Sequence, residues 1–405
     1  MSINLARNAI RQRRNLLKKK INPVLAFGII LCLCAAVFLA VDKKKKDIES
    51  IAPAMIKIPP RTKKEEIKIP DIPKKIFVPG KFSMDTIKKK GCVADGMLSG
   101  YGGNTEKMIG LIERSQCQYL HRALETWLES PDLDKAAEIM AEVDKPGLVF
   151  GMFIAEAINK KSDYTDPESG KKFDFSEMCR KDTDNAWGEH TCLPSFERPE
   201  YKQYIELITR KAMDIGIQSF LFGQIHYQNQ QDLANSELPN VVRDMRRYAK
   251  KKNLQVVIGA QTNSITDQKY LGLFDYIEGG LGIDMGGNVE DGPCWSGKSS
   301  CWALLWNDIF RANAKNVILN LDWSGIPNDD MSKFARMDQE TRIKTLDNLY
   351  HYFTSRQIGF LMPFLAPLYP ENNGCYGPQK RFYSPDNRYH CKDEDKINNI
   401  LAGKK

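Results

Sequence analysis

The chain has 405 residues, of which 42% are apolar and 27% are charged, an ordinary composition for a globular protein. Its net charge of +8 is unevenly distributed. Residues 1–90 hold 22 Lys and Arg against 7 Asp and Glu, whereas residues 91–405 hold 37 against 44. A mildly acidic body therefore follows a basic leader, which argues against nucleic-acid binding by the body.

The first predicted element is the apolar stretch PVLAFGIILCLCAAVFLAV at residues 23–41, whose 19 residues suffice to span a bilayer core. Seven basic residues precede the stretch and four follow it, so we expect a cytoplasmic tail at 1–22 and an exported body. A cleaved signal peptide is the alternative, because CAA ends in small residues. The prediction is a single-pass signal anchor with the body at the cell surface or in the periplasm.

Residues 42–90 mix Pro, Lys and Ile without helical or strand periodicity. This composition predicts an extended, semi-rigid linker. Its Lys-rich ends suit contact with anionic lipid head groups, although a solvated spacer explains the same composition. We therefore place the start of the folded domain at residue 91 and its end at residue 401.

From residue 91 onward, strand-like and helix-like segments alternate. The predicted strands are GCVADG, CQYLHRAL, LVFGMFIAEA, IQSFLFGQIHY, QVVIGAQT, DYIEGGLGI, NVILNLDWSG and IGFLMPFLAP. Strands alternating with helices predict a parallel sheet, and eight units over about 310 residues predict a (β/α)8 TIM barrel. An open doubly wound sheet is the alternative, but SGYGGN after the first strand lacks the G-x-G-x-x-G spacing of a dinucleotide site.

Ten cysteines are present, and eight of them lie in the body. Their even number and local spacing suit disulfides in an oxidising compartment, whereas no CxxC spacing favours zinc. The predicted pairs are Cys179–Cys192, Cys294–Cys301, Cys375–Cys391 and Cys92–Cys117. Cys179 and Cys192 both lie in a long polar segment, from about residue 159 to residue 197, that follows the third strand. We interpret this segment as a flap closed by a disulfide. We expect neither a metal nor a cofactor.

In a TIM barrel the ligand site lies at the carboxyl ends of the strands. Acids, amides, histidines and other polar side chains follow or end the apolar runs of this chain, and the candidates are Asp95, His121, Arg122, Glu156, Gln224, His226, Gln261, Tyr276, Glu278, Asn320 and Asp322. Strand alternation predicts that Gln224 and His226 point the same way, and that only one of His121 and Arg122 faces the barrel mouth.

Aromatic side chains accompany this predicted rim. They are Tyr101, Tyr227, Trp295, Trp302 and Trp323. Flat apolar rings with a polar edge stack on the CH-rich faces of sugars, while acids and amides hydrogen-bond the hydroxyl groups. No Gly-rich phosphate loop follows the last two strands, which disfavours a phosphorylated metabolite. The pattern predicts a polysaccharide or other glycan as the ligand.

The segment FERPEYKQYIELITRKAMDIGIQSFLFGQIHY resembles the barrel glycoside hydrolases. In these proteins a helix begins near Pro and aromatic residues, ends on Gly and leads into a strand that reaches the site. The resemblance implies a TIM barrel that hydrolyses glycosidic bonds with two carboxyl groups. Many such enzymes carry a catalytic acid at the end of the fourth strand, where this chain has Gln224.

Glycoside hydrolysis requires one protonated and one ionised carboxyl group. We assign Glu156 as the proton donor, because its apolar strand and the neighbouring Phe153 favour a raised pKa. Glu278 is the candidate base or nucleophile, since the two glycines after it leave room for a substrate. Asp95 and Asp322 would bind hydroxyl groups or tune the pair.

Two functions remain open from the sequence. The first is a membrane-anchored, extracytoplasmic glycoside hydrolase that acts on a surface or cell-wall polysaccharide. The second is a catalytically inactive barrel that binds glycans as an adhesion or envelope structural protein. A metal-dependent polysaccharide deacetylase is disfavoured, because the chain has 5 His and no clustered His motif.

Overall fold

The computed structural model describes residues 76–99, 105–228, 237–263, 265–289, 313–322, 329–367, 382–388 and 391–404. The predicted anchor at 23–41 and most of the predicted linker lie outside these residues. Within the described ranges, no helix is both long enough and apolar enough to cross a bilayer.

In the described part of the chain, nine strands form one parallel sheet, and three short strands pair antiparallel to it or to each other. The twelve strands are β1 (Gly91–Ala94), β2 (Tyr119–Glu125), β3 (Val149–Ile154), β4 (Ile158–Asn159), β5 (Thr191–Cys192), β6 (Ser219–Phe222), β7 (Val257–Ala260), β8 (Tyr276–Gly280), β9 (Val317–Asn320), β10 (Gly359–Phe360), β11 (Met362–Pro367) and β12 (Phe382–Tyr383).

The parallel strands follow the order β10-β9-β8-β7-β6-β3-β2-β1-β11. At the two ends of this ladder, β10 pairs with β9 and β11 pairs with β1. Only Leu361 separates β10 from β11, so these two pieces occupy the place of one interrupted strand and the sheet curves into a nearly closed barrel. This architecture fits the predicted parallel α/β barrel, and the antiparallel pair β4–β5 lies outside it.

Helices connect the strands, and several begin where an Asp side chain accepts a hydrogen bond from the first turn. The described helices are α1 (Met84–Lys90), α2 (Thr105–Arg114), α3 (Leu133–Glu142), α4 (Pro199–Asp214), α5 (Ile225–Gln228), α6 (Glu237–Lys251), α7 (Gln268–Leu271), α8 (Asp330–Arg336), α9 (Gln339–Thr354) and α10 (Glu394–Ala402). The segment CWALLWNDIFRANAK, whose apolar residues recur with helical spacing, lies mostly outside the described residues. Helices α1, α8 and α10 were not expected from the sequence, and α5 replaces the end of a predicted strand.

The core lies inside the barrel and between the barrel and its helices. Every residue of β1, β3, β6, β7, β8 and β9 is buried. Strands of a parallel sheet are covered on both faces, which explains why these runs are almost continuously apolar.

The segment 76–83 packs across the amino ends of the strands. The ring of Phe77 meets the ring of Phe150 edge-on, with centroids 5.1 Å apart. Gln218, just before β6, donates a 2.8 Å hydrogen bond to the carbonyl oxygen of Gly80. We call residues 76–83 the strap. Contrary to the extended conformation predicted up to residue 90, helix α1 follows the strap directly.

Two of the predicted disulfides are confirmed. Cys92–Cys117 joins β1 to the turn before β2, and Cys179–Cys192 closes the loop that follows β3. Cys391 is disulfide-bonded as well. The remaining cysteines of the other two predicted pairs lie outside the described residues: Cys294, Cys301 and Cys375.

Candidate functional site

A ring of buried polar side chains lines the carboxyl ends of the strands. Its members come from six strands or from the residues that directly follow them, and they are Asp95, Glu125, Glu156, Gln224, Glu278, Asn320 and Asp322. Because the strands are parallel, all their carboxyl ends meet at one end of the barrel. We call this ring the mouth.

Arg122 is a cation at the mouth that forms ion pairs with two of its acids. Its Nε lies 3.3 Å from Asp95 Oδ1, and its Nη2 lies 2.8 Å from Glu125 Oε1. The guanidinium carbon sits 4.1 Å from the centroid of the Phe153 ring. Burial acts to raise the pKa values of Glu156, Glu278 and Asp322, and the charge of Arg122 opposes this rise in all three. The four acids expected from the sequence therefore do converge on one rim.

A bulge in β2 corrects the prediction that only one of His121 and Arg122 faces the mouth. The pairing of β2 with β3 shifts register between Leu120 and Leu124, and Arg122 has a φ of +56°. A bulge breaks the alternation of side chains along a strand. As a result, His121 and Arg122 both reach carboxylates.

His121 lies inside the barrel, fully buried. Its Nδ1 is 2.8 Å from the hydroxyl of Tyr119, and its Nε2 is 3.7 Å from Glu278 Oε1. The second distance is too long for a hydrogen bond but short enough for electrostatic interaction. His121 therefore links the mouth to the polar layer beneath it.

Glu156 is held by the amide that follows β6. Gln224 Nε2 donates a 2.6 Å hydrogen bond to Glu156 Oε1. Burial raises the pKa of Glu156, and the hydrogen bond and the charge of Arg122 offset this only in part. A Cβ atom at Gly223 would collide with Glu156 Oε2 and with the Phe153 ring, so this glycine makes room for the acid.

Glu278 has the opposite electrostatic balance. Asn320 Nδ2 donates a short hydrogen bond to Glu278 Oε1. Burial acts to raise the pKa of Glu278, but the nearby His121, the charge of Arg122 and a hydrogen bond with Gln261 outweigh it, so the pKa is lowered. The two candidate catalytic acids therefore differ in the direction of their pKa shifts.

Asp95 and Asp322 complete the set of acids. Burial raises the pKa of Asp95 to about 8, despite the opposing charge of Arg122. Burial, and then the negative charges of Asp330 and Asp329, raise the pKa of Asp322 well above its ordinary value. At neutral pH the carboxyl group of Asp95 therefore favours the protonated form.

Three sequence-based placements need correction. The strand β6 ends at Phe222, so Gln224 lies in a turn with a φ of +24° and His226 lies in α5; their predicted common orientation along one strand was wrong. Burial and Arg180 lower the pKa of His226 to about 4. Tyr276 is fully buried beneath Glu278 and bonds Ser219 Oγ at 3.2 Å, so it belongs to the barrel interior.

Glu125, a buried acid that ends β2, was not among the predicted site residues. The predicted strand stopped one residue earlier, although an acid closing an apolar run was the signal used elsewhere. Four of the predicted rim aromatics lie outside the described residues: Tyr101, Trp295, Trp302 and Trp323. No group of His, Cys, Asp and Glu in the described ranges is arranged to hold a metal ion.

No family model and no curated protein matches the sequence. Among solved structures, a GH113 β-1,4-mannanase is similar over 78% of this chain and 99% of its own, at 12% identity and a TM-score of 0.45. A cyclic α-maltosyl-(1→6)-maltose hydrolase from Arthrobacter globiformis is similar over 78% and 76%, at 13% identity and a TM-score of 0.44. A GH27 β-L-arabinopyranosidase from Geobacillus stearothermophilus is similar over 69% and 72%, at 10% identity and a TM-score of 0.37.

These three structures are all glycoside hydrolases, the group of proteins that the sequence segment 196–227 also resembles. At these identities and TM-scores the likeness carries no argument about the reaction. The chemistry has to follow from the side chains of this chain.

Proposed function

We propose that this barrel is a glycoside hydrolase whose mouth binds sugar hydroxyl groups and whose acids cleave the glycosidic bond. One observation carries the proposal. Eight buried side-chain polar atoms in the described residues lack a hydrogen-bond partner, and seven of them belong to residues at the carboxyl ends of the strands or inside the mouth. They are Asp95 Oδ1, His121 Nε2, Glu156 Oε2, Gln224 Oε1, Thr262 Oγ1, Glu278 Oε2 and Asp322 Oδ2.

Buried polar atoms without partners are rare, because each one costs free energy. Concentrated in one ring, they define a surface that a polar ligand would satisfy. Most of these seven atoms are hydrogen-bond acceptors, and sugar hydroxyl groups donate as well as accept. A polyhydroxylated ring therefore suits the mouth better than an apolar or a strongly anionic ligand.

The opposed pKa shifts support the division of roles between Glu156 and Glu278. The raised pKa of Glu156 favours the protonated form, which can donate a proton to the leaving-group oxygen. The lowered pKa of Glu278 favours the carboxylate, which can act as base or nucleophile. Each of the two acids also has one buried oxygen without a hydrogen bond from the described residues.

The test is hydrolysis of a panel of cell-wall and capsular polysaccharides, measured as the release of reducing ends. Glu156→Gln and Glu278→Gln each remove one role while keeping the side-chain shape. We expect each variant to lower kcat by about 100-fold or more. Glu129→Gln, an exposed acid near the end of β2, is the control and should leave kcat unchanged. Full hydrolysis by Glu156→Gln would reject the assignment of the proton donor.

The second candidate is a barrel that binds glycans without cleaving them. Gln224 favours it, because an amide occupies the end of β6 and cannot donate a proton as a general acid. If the unmodified protein binds a polysaccharide of the panel but releases no reducing ends from any of them, this second function replaces the first.

We further propose that the stretch 23–41 anchors the protein and that the barrel acts outside the cytoplasm on a surface or cell-wall polysaccharide. The flanking charges of the stretch and the two barrel disulfides support this placement. In cells producing the full chain, we expect the protein to resist carbonate extraction of membranes and the barrel to be cleaved by externally added protease. Release into the soluble fraction would overturn the anchor.

A further inference from the structure

The loop between β4 and β5 displays a large aromatic side chain to solvent. Residues 184–189 are all exposed, and Trp187 lies among them with 36% of its surface accessible. Few large apolar side chains of the described residues are exposed to this extent. An exposed indole on a loop at the carboxyl ends of the barrel strands indicates a binding surface.

The loop holds Trp187 in a defined position. The backbone nitrogen of Trp187 donates to Thr191 Oγ1 at 3.0 Å, and Thr191 Oγ1 donates to the carbonyl oxygen of Gly188 at 2.7 Å. Asn185 N donates to the carbonyl oxygen of Thr191 at 2.7 Å. The disulfide Cys179–Cys192 closes the same loop. A preorganised aromatic side chain loses little conformational entropy when it binds a ligand.

Trp187 is connected to the mouth through Trp127. The two rings meet edge-on, with centroids 5.6 Å apart and planes at 72°. Trp127 follows Glu125 by two residues, and Glu125 forms the ion pair with Arg122 at the mouth. The strand β4 begins two residues after Glu156. The aromatic pair therefore lies on chain segments that directly follow two acids of the mouth, Glu125 and Glu156.

The backbone directly after Trp127 adopts an unusual conformation that a residue of the loop stabilises. Leu128 has a φ of +60°, a conformation that costs free energy for a branched residue. The hydroxyl of Ser162, from the loop itself, donates a 3.2 Å hydrogen bond to the carbonyl oxygen of Leu128. The loop thus stabilises the backbone turn at Leu128, next to Trp127, whose ring contacts Trp187.

We propose that the exposed face of Trp187 is a stacking platform for a pyranose ring of a glycan chain that extends from the mouth, with Trp127 as its positioning residue. The platform deepens the proposed function, because it assigns the ligand to long glycan chains rather than to small glycosides. A sugar ring with its CH groups on one face covers an indole and keeps its hydroxyl groups in water. A ligand that occupies the mouth and also stacks on Trp187 therefore contains more than one sugar ring.

The experiment compares the dimers and hexamers of cello-, manno-, malto- and chito-oligosaccharides by calorimetric titration of the full-length chain carrying Glu278→Gln, which prevents turnover. We expect at least one hexamer to bind more tightly than its dimer. In this background Trp187→Ala should weaken hexamer binding about three- to tenfold and leave dimer binding unchanged. Trp187→Phe, which keeps a ring, should retain most of the hexamer affinity.

Tyr352→Ala is the matched control, because Tyr352 is 38% exposed and lies on the outer helix α9. It should bind hexamers and dimers as the background protein does. Thiol counting establishes whether the disulfide Cys179–Cys192 remains closed in Trp187→Ala. If the disulfide opens in Trp187→Ala, hexamer binding by Trp187→Phe is compared with that by Trp187→Leu. Only Trp187→Leu, which lacks a ring, should then bind hexamers more weakly.

The platform is overturned if no hexamer binds more tightly than its dimer, or if loss of the Trp187 ring leaves hexamer affinity unchanged. Failure of the hydrolase proposal looks different. In that case the unmodified protein cleaves no glycan, while hexamer binding still depends on Trp187. The two measurements, reducing ends released and hexamer affinity, therefore separate the platform from the catalysis.

Discussion

At the scale of single residues, the mouth places one buried cation among many acids. Arg122 contacts Asp95 and Glu125 directly, and its charge opposes the rise in the pKa values of Glu156 and Glu278 that burial causes. The charge of Arg122 does not neutralise the five carboxyl groups of the described mouth if every one is ionised. A pKa of about 8 keeps Asp95 protonated at neutral pH, and general acid catalysis requires a carboxyl group that holds a proton in this way.

Arg122→Met tests this balance. We expect the free energy of unfolding to fall by about 3–5 kcal/mol at pH 7, because the variant leaves buried carboxylates without their cation. The loss should be smaller at pH 5, where these carboxyl groups take up protons. Denaturant titration at both pH values measures the difference. Arg356→Met, which removes an exposed guanidinium 3.8 Å from the Tyr352 ring, is the control. An equal loss at both pH values would attribute the effect to packing.

Asp95 gives a second prediction, on stability against pH. Its pKa of about 8 in the folded protein lies above the ordinary 3.8, so the folded state keeps a proton that the unfolded state releases between these values. The contribution of Asp95 to the free energy of unfolding is therefore fully present below pH 4, and it is lost as the pH rises from 4 to 8. Asp95→Asn should gain about 1–3 kcal/mol relative to the unmodified protein between pH 4 and pH 8.

The control for this experiment is Asp163→Asn, since the Asp163 side chain is 68% exposed. Its difference from the unmodified protein should stay constant between pH 4 and pH 8. A constant difference for Asp95→Asn as well would show that Asp95 titrates normally in the folded state.

At the scale of elements, the two disulfides serve different parts of the fold. Cys92–Cys117 connects two barrel strands across 25 residues, whereas Cys179–Cys192 closes a 13-residue loop outside the barrel. The chain-entropy model assigns about 3 kcal/mol to each closure. If the loop closed by Cys179–Cys192 unfolds separately from the barrel, this disulfide stabilises the loop locally. If the loop unfolds together with the barrel, the disulfide contributes to the global free energy of unfolding.

We expect the double Ser variant of Cys92 and Cys117 to lower the global free energy of unfolding by about 3 kcal/mol. The double Ser variant of Cys179 and Cys192 should instead increase amide hydrogen exchange around residues 184–192, with a smaller change in global stability, because this loop can open alone. Hydrogen-exchange mass spectrometry and denaturant titration make the comparison. Equal global losses without faster exchange in the loop would contradict it.

At the scale of the whole molecule, the barrel has one pole that carries the acids and another that the strap covers. The strap crosses the amino ends of β3, β6 and β7, where Phe77 packs on Phe150 and where Gln255 exchanges two hydrogen bonds with the backbone of Phe82. Parallel barrels bind ligands at the carboxyl ends of their strands, so this opposite pole contributes stability.

Phe77→Ala should therefore destabilise the barrel by about 1–3 kcal/mol while leaving glycan hydrolysis or binding per folded molecule unchanged. Val78→Ala is the matched control from the adjacent position, because Val78 is 77% exposed and its truncation should change stability little. Thermal unfolding and the activity of the folded fraction provide the measurements. Equal destabilisation by both variants would indicate that the strap does not pack on the barrel.

The amino-acid sequence by itself determined the apolar runs that form the barrel strands, their parallel arrangement, two disulfides and the acids Asp95, Glu156, Glu278 and Asp322 at or near the strand ends. These features are readable because apolar runs, helical periodicity and cysteine spacing are local along the chain. An acid that ends a buried strand has one place to go in a barrel, the rim at the carboxyl ends.

Only the tertiary structure decided how the side chains at that rim are oriented and charged. The bulge at Arg122 and the turn at Gln224 depend on positive φ angles, and partners from neighbouring strands hold both side chains. The opposed pKa shifts of Glu156 and Glu278 depend on burial and on distances to groups far away in the chain. Periodicity cannot encode such distances, because they arise only when the sheet closes.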